Sequence, residues 1–212
     1  MANITILSAS NTWMNEYIPR LQSRLMSHSI RWIHETSDLL AGDICFILSF
    51  EKILKTEHLA FHRNNIVVHE SDLPKGKGMS PLSWQILEGK NVISITLFEA
   101  VKAVDAGNIY IQDQMIFEGH ELINDMRRVV GEKTCDMCVE FINNYPAIIS
   151  KGKKQVGVST YYPRRTPVDS KIDIDKSIRE QFNLLRIVDN DKYPAYFEIH
   201  GCRYILKIEK ES

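Results

Sequence analysis

One histidine, His69, closes the β-branched run NNIVV and is followed at once by ESDLPKGKG, a loop that leads into a helix at Ser80-Pro81. An imidazole takes up and returns a proton near neutral pH, so a His at such a junction is placed for acid–base work. A strand-end His is more often structural, but in open α/β sheets ligands collect beyond the carboxyl ends of the strands, which is where His69 falls. Pro74, Gly76 and Gly78 give the loop a shaped backbone that a ligand can approach closely, and Ser71 adds a hydroxyl beside the His. A carboxylate, Asp105, stands in VDAGN; on residue type alone it is a turn former ahead of Gly107. Lys75 and Lys77 in the His loop, and Arg164 and Arg165 in YYPRRTP, carry the cationic donors that phosphate requires, although such pairs are usually solvated surface. Trp84 and Tyr161 offer aromatic faces for a base, with a place in the core the other reading of Trp84.

The elements that must position these groups alternate between strand and helix patterns, which predicts an α/β sheet. Strands are expected at Ile4–Ser8, Ser29–His34, Ile44–Ser49 and Asn65–Glu70, then in NVISITLFEA and GNIYIQDQMIF. NTWMNEYIPRLQSRLMS and EKILKTEHLAFH have the spacing of short amphipathic helices, the first capped by Asn11 or Thr12, and a long helix is expected over Glu121–Asn144. From Ser150 the chain turns polar and proline-bearing, as a loop-rich passage does. A short helix over Lys176–Leu185 follows, and AYFEIHGCRYILKI reads as a hairpin turning at His200-Gly201.

At 212 residues the chain can hold one substantial core with a small appendage, and its net charge of −1 argues against affinity gained by neutralising a nucleic-acid backbone. No apolar run has the length of a membrane helix and MANITILSASNTW lacks the marks of a signal peptide, so neither a membrane nor a nucleic-acid partner is expected and the location reads as cytoplasmic. The exposed edge of the C-terminal hairpin offers a surface for pairing in a homodimer. Cys135 and Cys138 form a C-x-x-C without a second pair at ligand spacing, inside a helical pattern, which favours packing over a metal or redox role. No metal site is expected.

VHESDLPKGKGMSPLSWQILEG, followed by AVDAGNIY, resembles the formyltransferase pattern in which a strand-end His precedes a Ser-x-Leu-Pro loop and an Asp-x-Gly comes later. The likeness runs from DICFILSFEKIL to the Tyr-Pro and Arg-Arg-Thr-Pro elements. The Lys/Gly loop and SPLSWQILEG are most similar to N-formyltransferases of nucleotide-linked amino sugars, including those of nonulosonic-acid routes such as the pseudaminic-acid pathway. The resemblance implies a Rossmann-like α/β core with a mostly parallel sheet over residues 1–150. It also implies a small loop, helix and β-hairpin extension over residues 151–212 that completes the substrate site.

The implied chemistry is attack by a sugar amine on the formyl carbon of 10-formyltetrahydrofolate, with an oxyanion developing as the amine loses a proton and the folate nitrogen gains one. His69 would be general base or proton shuttle, and Asp105 would orient its imidazole or relay the proton. Leu48, Phe50, Ile53, Val104 and Gly107 mark the expected cofactor positions, largely through backbone groups, and a core role is the other reading of Phe50. Ser71, Lys75, Lys77, Trp84, Tyr161, Arg164 and Arg165 are the expected substrate positions. The acceptor implied is a 4-amino-4,6-dideoxy sugar, in its UDP-linked 2-acetamido form ahead of a dTDP-linked one, destined for surface glycans.

One position departs from the family: an Asn normally stands two residues before the His to hold the formyl oxygen, and here that position is Val67. Asn65 has the same strand parity but lies about 13 Å away along a regular strand. The departure keeps open a catalytically impaired folate- or nucleotide-binding module, while retention of both His69 and Asp105 speaks for catalysis. A transfer-RNA formyltransferase would be expected to carry a larger C-terminal part than the residues after Ser150 supply. A glycinamide-type enzyme would be expected to have glycines where LSASNTW has none.

Overall fold

The computed structural model describes residues 1–211. In chain order its strands are β1 (Asn3–Leu7), β2 (Ser29–Ile33), β3 (Gly42–Ile47), β4 (His62–His69), β5 (Lys77–Gly78), β6 (Val92–Glu99), β7 (Ile109–Ile116), β8 (Tyr161–Tyr162), β9 (Ala195–Ile199) and β10 (Cys202–Leu206). The α-helices are α1 (Ile18–Arg24), α2 (Thr56–Leu59), α3 (Pro81–Leu87), α4 (Ile123–Asn143) and α5 (Phe182–Ile187). The main sheet runs β2-β1-β3-β4-β6-β7. Its first four strands are parallel, and β6 and β7 add on antiparallel beside β4. This is the expected α/β architecture with a mostly parallel sheet.

The alternation of β-branched and aromatic residues sorts the sheet into two faces. Ile4, Ile6, Ile44, Phe46 and Ile66 point into the main core with Leu21, Met126 and Phe141 from α1 and α4. Gly131 lets α4 close onto the Tyr17 ring, 2.6 Å from where a Cβ would stand. Cys135 and Cys138 are buried in the same layer, and burial pushes the Cys135 thiol up to about 11, so both behave as packing residues. The opposite face carries a smaller cluster of Leu7, Ile33, Leu39, Cys45 and Ile47, against which Phe50, Leu54, Val67 and Ala100 pack. Residue parity puts His69 on this second face.

Three helix expectations are corrected. The first helix is preceded by a separate 3-10 turn, Trp13–Glu16, whose Thr12 side chain accepts from the Met14 amide. Within EKILKTEHLAFH only α2 is helical; Ile53 is 67% exposed, so the apolar residues never form the single buried face that would hold a longer helix. The C-terminal helix begins at Phe182 because side chains close the preceding turns: Gln181 bonds the Asp173 amide and carbonyl, and Glu180 accepts from the Ser177 amide and hydroxyl.

Beyond residue 150, α5 and the β9–β10 hairpin enclose their own cluster of Ile172, Leu185, Val188 and Ala195. His200 and Gly201, at φ +51° and +77°, make the tight turn that the His-Gly pair predicts. Several contacts join this part to the main body, two of them strong. The fully buried guanidinium of Arg186 donates to Glu121 and to Asn91, and β8 pairs in parallel with β5 in the His loop.

Candidate active site

His69 ends β4 in register with Thr96 of β6, with its side chain nearly buried. Its Nε2 lies 2.9 Å from the carbonyl oxygen of Gly76. A carbonyl only accepts, so Nε2 carries the proton and Nδ1 is the bare nitrogen, the one able to take a proton from a substrate. Asp105 Oδ2 stands 3.9 Å from the same Nε2 and accepts from the Gly78 amide at 2.9 Å. The carboxylate is therefore held by the loop it faces, with its negative charge close to the His69 ring.

Both carriers of this arrangement are fixed by backbone that side chains could not easily follow. Gly76 and Gly78 have φ of +69° and +97°, and a Cβ on Gly78 would collide with the Tyr162 carbonyl. The Gly76 amide donates to Thr160 Oγ1 at 2.8 Å and the Lys77 amide to the Thr160 carbonyl at 2.9 Å. Asp105 itself is left-handed, φ +50°, a conformation Asp tolerates better than most residues. Gln155 Nε2 holds that turn by donating to the carbonyls of Asp105 and Gly107, both at 2.9 Å, and a Cβ on Gly107 would collide with the Glu99 carbonyl. Glu70 follows His69 directly; burial pushes its carboxyl up, opposed by the positive charge His69 can carry.

Next to His69 and in the Asp105 turn, Ser71 Oγ and Gln155 Oε1 are buried without a partner among the described residues. One can donate and the other only accepts. Beside His69 the second face of the sheet is apolar, with Phe50, Leu54, Val67 and Ala100. Of the expected cofactor residues, Leu48 turns its side chain into the main core, Gly107 is buried in the Asp105 turn, and Ile53 and Val104 are exposed.

The expected substrate residues fall into an inner and an outer group. Trp84 stacks on Tyr162 with centroids 6.3 Å apart and donates its indole N–H to the Pro163 carbonyl at 2.8 Å. The Arg165 guanidinium lies 5.8 Å from the Trp84 ring; Nη2 donates to the Asp169 carbonyl, while Nη1 is buried without a partner. Lys77 Nζ sits 5.9 Å over the Tyr161 ring, and Tyr161 is 65% exposed. Lys75 is exposed, and Arg164 pairs at the surface with Glu51, in the segment that holds Phe50 and Ile53. Tyr162, Thr160, Gln155 and Glu99 were not singled out from sequence. The duplicated Tyr in TYYP was the one visible signal, since either ring could have been the one that packs.

The family model for formyl transferase matches residues 15–142, which carry β2 to β7 with His69 and Asp105. The chain belongs to the formyl transferase family. Among curated formyl transferases and related proteins, the bifunctional polymyxin resistance protein ArnA of Wigglesworthia glossinidia brevipalpis is 29% identical over 194 residues, 87% of this chain and 29% of that protein. The methionyl-tRNA formyltransferase of Thermodesulfovibrio yellowstonii is 28% identical over 151 residues, 69% of this chain and 48% of that one. The chain thus spans less than half the length of either relative. Among solved structures, a methionyl-tRNA formyltransferase from Clostridium thermocellum superposes with a TM-score of 0.82 at 19% identity, covering 100% of this chain and 94% of that one. A 4-N formyltransferase from Francisella tularensis gives 0.77 at 18% identity, covering 100% and 98%. HypX from Aquifex aeolicus, solved with tetrahydrofolic acid, gives 0.79 at 16% identity, covering 98% and 37%. At these identities the likeness is one of fold. The one-carbon donor of formyl transferases is a formyl-tetrahydrofolate. The apolar residues of this second face, Phe50, Leu54, Val67 and Ala100, offer a surface of the kind a flat ring system packs against.

Proposed function

We propose that this formyl transferase moves the formyl group of 10-formyltetrahydrofolate to the amine of a nucleotide-linked 4-amino-4,6-dideoxy sugar. The UDP-linked 2-acetamido form is the preferred acceptor, and the product serves surface-glycan biosynthesis in the cytoplasm. The observation that carries the sugar-nucleotide reading is Arg165: a guanidinium largely buried beside Trp84 and Tyr162, with Nη1 unpartnered, is built to meet an anion. Burial lowers its affinity for its proton, and an incoming phosphate would restore the lost stabilisation. Exposed Tyr161, with Lys77 beneath it, gives a face for the base.

The folate supplies an activated formyl carbon. His69 Nδ1 takes the proton of the attacking amine, the resulting imidazolium is held by Asp105 and the Gly76 carbonyl, and the proton is then available to the departing nitrogen. Residues 151–212 complete the substrate site through Thr160, Tyr161 and Arg165, and the β10 edge pairs two copies in a homodimer.

The test is formyl transfer from 10-formyltetrahydrofolate to a panel of UDP- and dTDP-linked aminosugars, with methionyl-tRNA as a further acceptor, read as a product heavier by one formyl group. Product with a sugar nucleotide and none with the tRNA is expected. Transfer to methionyl-tRNA alone would overturn the acceptor. Folate binding without transfer to any acceptor would instead favour an impaired module, the reading that Val67 keeps open.

A further inference from the structure

Glu99, the last residue of β6, is a carboxylate that touches both carriers of the candidate chemistry. Its Oε1 accepts from the Asn65 amide at 2.6 Å, and its Oε2 from Asn64 Nδ2 and from the Tyr110 hydroxyl, both at 2.9 Å. Asn64 and Asn65 belong to β4, the strand that ends in His69, and Tyr110 belongs to β7, which follows the Asp105 turn. The backbone of Glu99 works on that turn as well: its amide donates to the Asn108 carbonyl at 2.9 Å, and Gly107 lies flat against its carbonyl. The next amide, Ala100, donates to the Asn65 carbonyl at 2.6 Å. The turn from Ala100 to Asn108 is thus anchored at one end on Asn65, which also bonds the Glu99 carboxylate, and at the other on Glu99 itself. A salt bridge would be the ordinary reason to bury a carboxylate, yet every partner of Glu99 is neutral, and burial pushes its carboxyl up against the three donors that favour its charge. Such a carboxylate is costly for stability and useful for aligning three donors at once.

We propose that Glu99 is a positioning residue for catalysis, setting the Asp105 turn against the end of β4 so that the carboxylate of Asp105 meets His69 Nε2 and the Gly78 amide. The inference rests on the reading of His69 and Asp105 as the acid–base pair. Tyr110 contributes only the third donor.

Glu99→Gln is nearly isosteric but replaces one acceptor oxygen by an NH₂ that faces donors. In the purified full chain, kcat is expected to fall at least about ten-fold, within the roughly 10²-fold that an ångström-scale misplacement produces, with KM for both substrates within about two-fold of wild type. The amide proton of Gly78, shifted downfield by its bond to Asp105, is expected to move upfield in a ¹H–¹⁵N spectrum, a change that loss of stability alone does not produce. Asn64→Ala, which removes one donor from a half-buried part of the carboxylate's shell, should show both effects in weaker form and carries the test if the Gln variant does not fold. Wild-type kcat and an unmoved Gly78 resonance in a folded variant would overturn the proposal. If the wild-type protein transfers formyl to no acceptor, the functional reading fails by itself, and the Gly78 resonance still decides whether Glu99 sets the Asp105 contact.

Discussion

Val67→Asn places the family's amide back on the face of β4 that carries His69. Val67 is half-buried, in register with Ile47 on one side and Phe98 on the other, and packs on the cluster that includes Cys45 and Ile47. An amide there without a partner costs about 1–3 kcal/mol of stability in the resting protein. A domain of this kind has roughly 5–15 kcal/mol to draw on, so the variant should fold with a lower denaturation midpoint. In the transition state the balance reverses, because the amide gains the developing oxyanion as a partner, and one such donor is worth about 10²–10³ in kcat. We propose that Ser71, whose buried hydroxyl has no partner among the described residues, serves in its place in the natural protein. The expected outcome is therefore a rise in kcat short of that full factor, with a larger gain when Val67→Asn is added to Ser71→Ala than when it is made alone. Single-turnover formyl transfer at saturating substrates, with chemical denaturation alongside, measures both sides. A ten-fold or greater loss of kcat in folded Val67→Asn would refute the reasoning, since it would mean that the reacting oxygen does not pass this position.

His69→Ala should lose about 10²–10⁴ in turnover with the fold retained, and Asp105→Asn should be comparably damaging because it keeps the shape but removes the charge facing Nε2; steady-state kinetics with circular dichroism checks both. Arg165→Ala should raise KM for the sugar nucleotide while leaving kcat near wild type, and unchanged KM would return Arg165 to a purely structural part. Burial lowers the His62 pKa, so the folded protein binds that proton less readily than the unfolded chain does. Stability should accordingly fall as pH drops below the ordinary His value of about 6.5, by no more than about 1.4 kcal/mol per pH unit, and denaturation of His62→Gln between pH 5 and 7 should show a shallower slope.

Strands were legible in the sequence wherever β-branched residues alternate with polar ones, because that alternation is imposed by the two faces of a sheet. All six strands of the main sheet lie where NNIVV-like runs predict them, and the His-Gly hairpin turned where only a small or left-handed residue fits. The short helices were less legible. Spacing in EKILKTEHLAFH suits a helix, but nothing in it reveals that Ile53 has no core to face. The Lys176–Leu185 pattern hides turns held by side chains of Gln181 and Glu180. At the site, residue types led to His69, and only the resemblance singled out Asp105, whose role depends on a turn folding back 3.9 Å from a ring 36 positions earlier. Glu99, Gln155 and Thr160 act through distant backbone amides and carbonyls, and such contacts leave no periodic trace.

The two-residue ladder between β5 and β8 has a temporal consequence. Gly76 and its partner Thr160 are 84 positions apart, so during synthesis the His loop leaves the ribosome well before the segment that clamps it. Until Thr160 and Tyr162 emerge, the amides of Gly76 and Met79 have no fixed acceptor and the Gly76 carbonyl has no reason to face His69. The strands of the main sheet can pair early, whereas the loop that faces His69 is set only once residues 160–162 have been made.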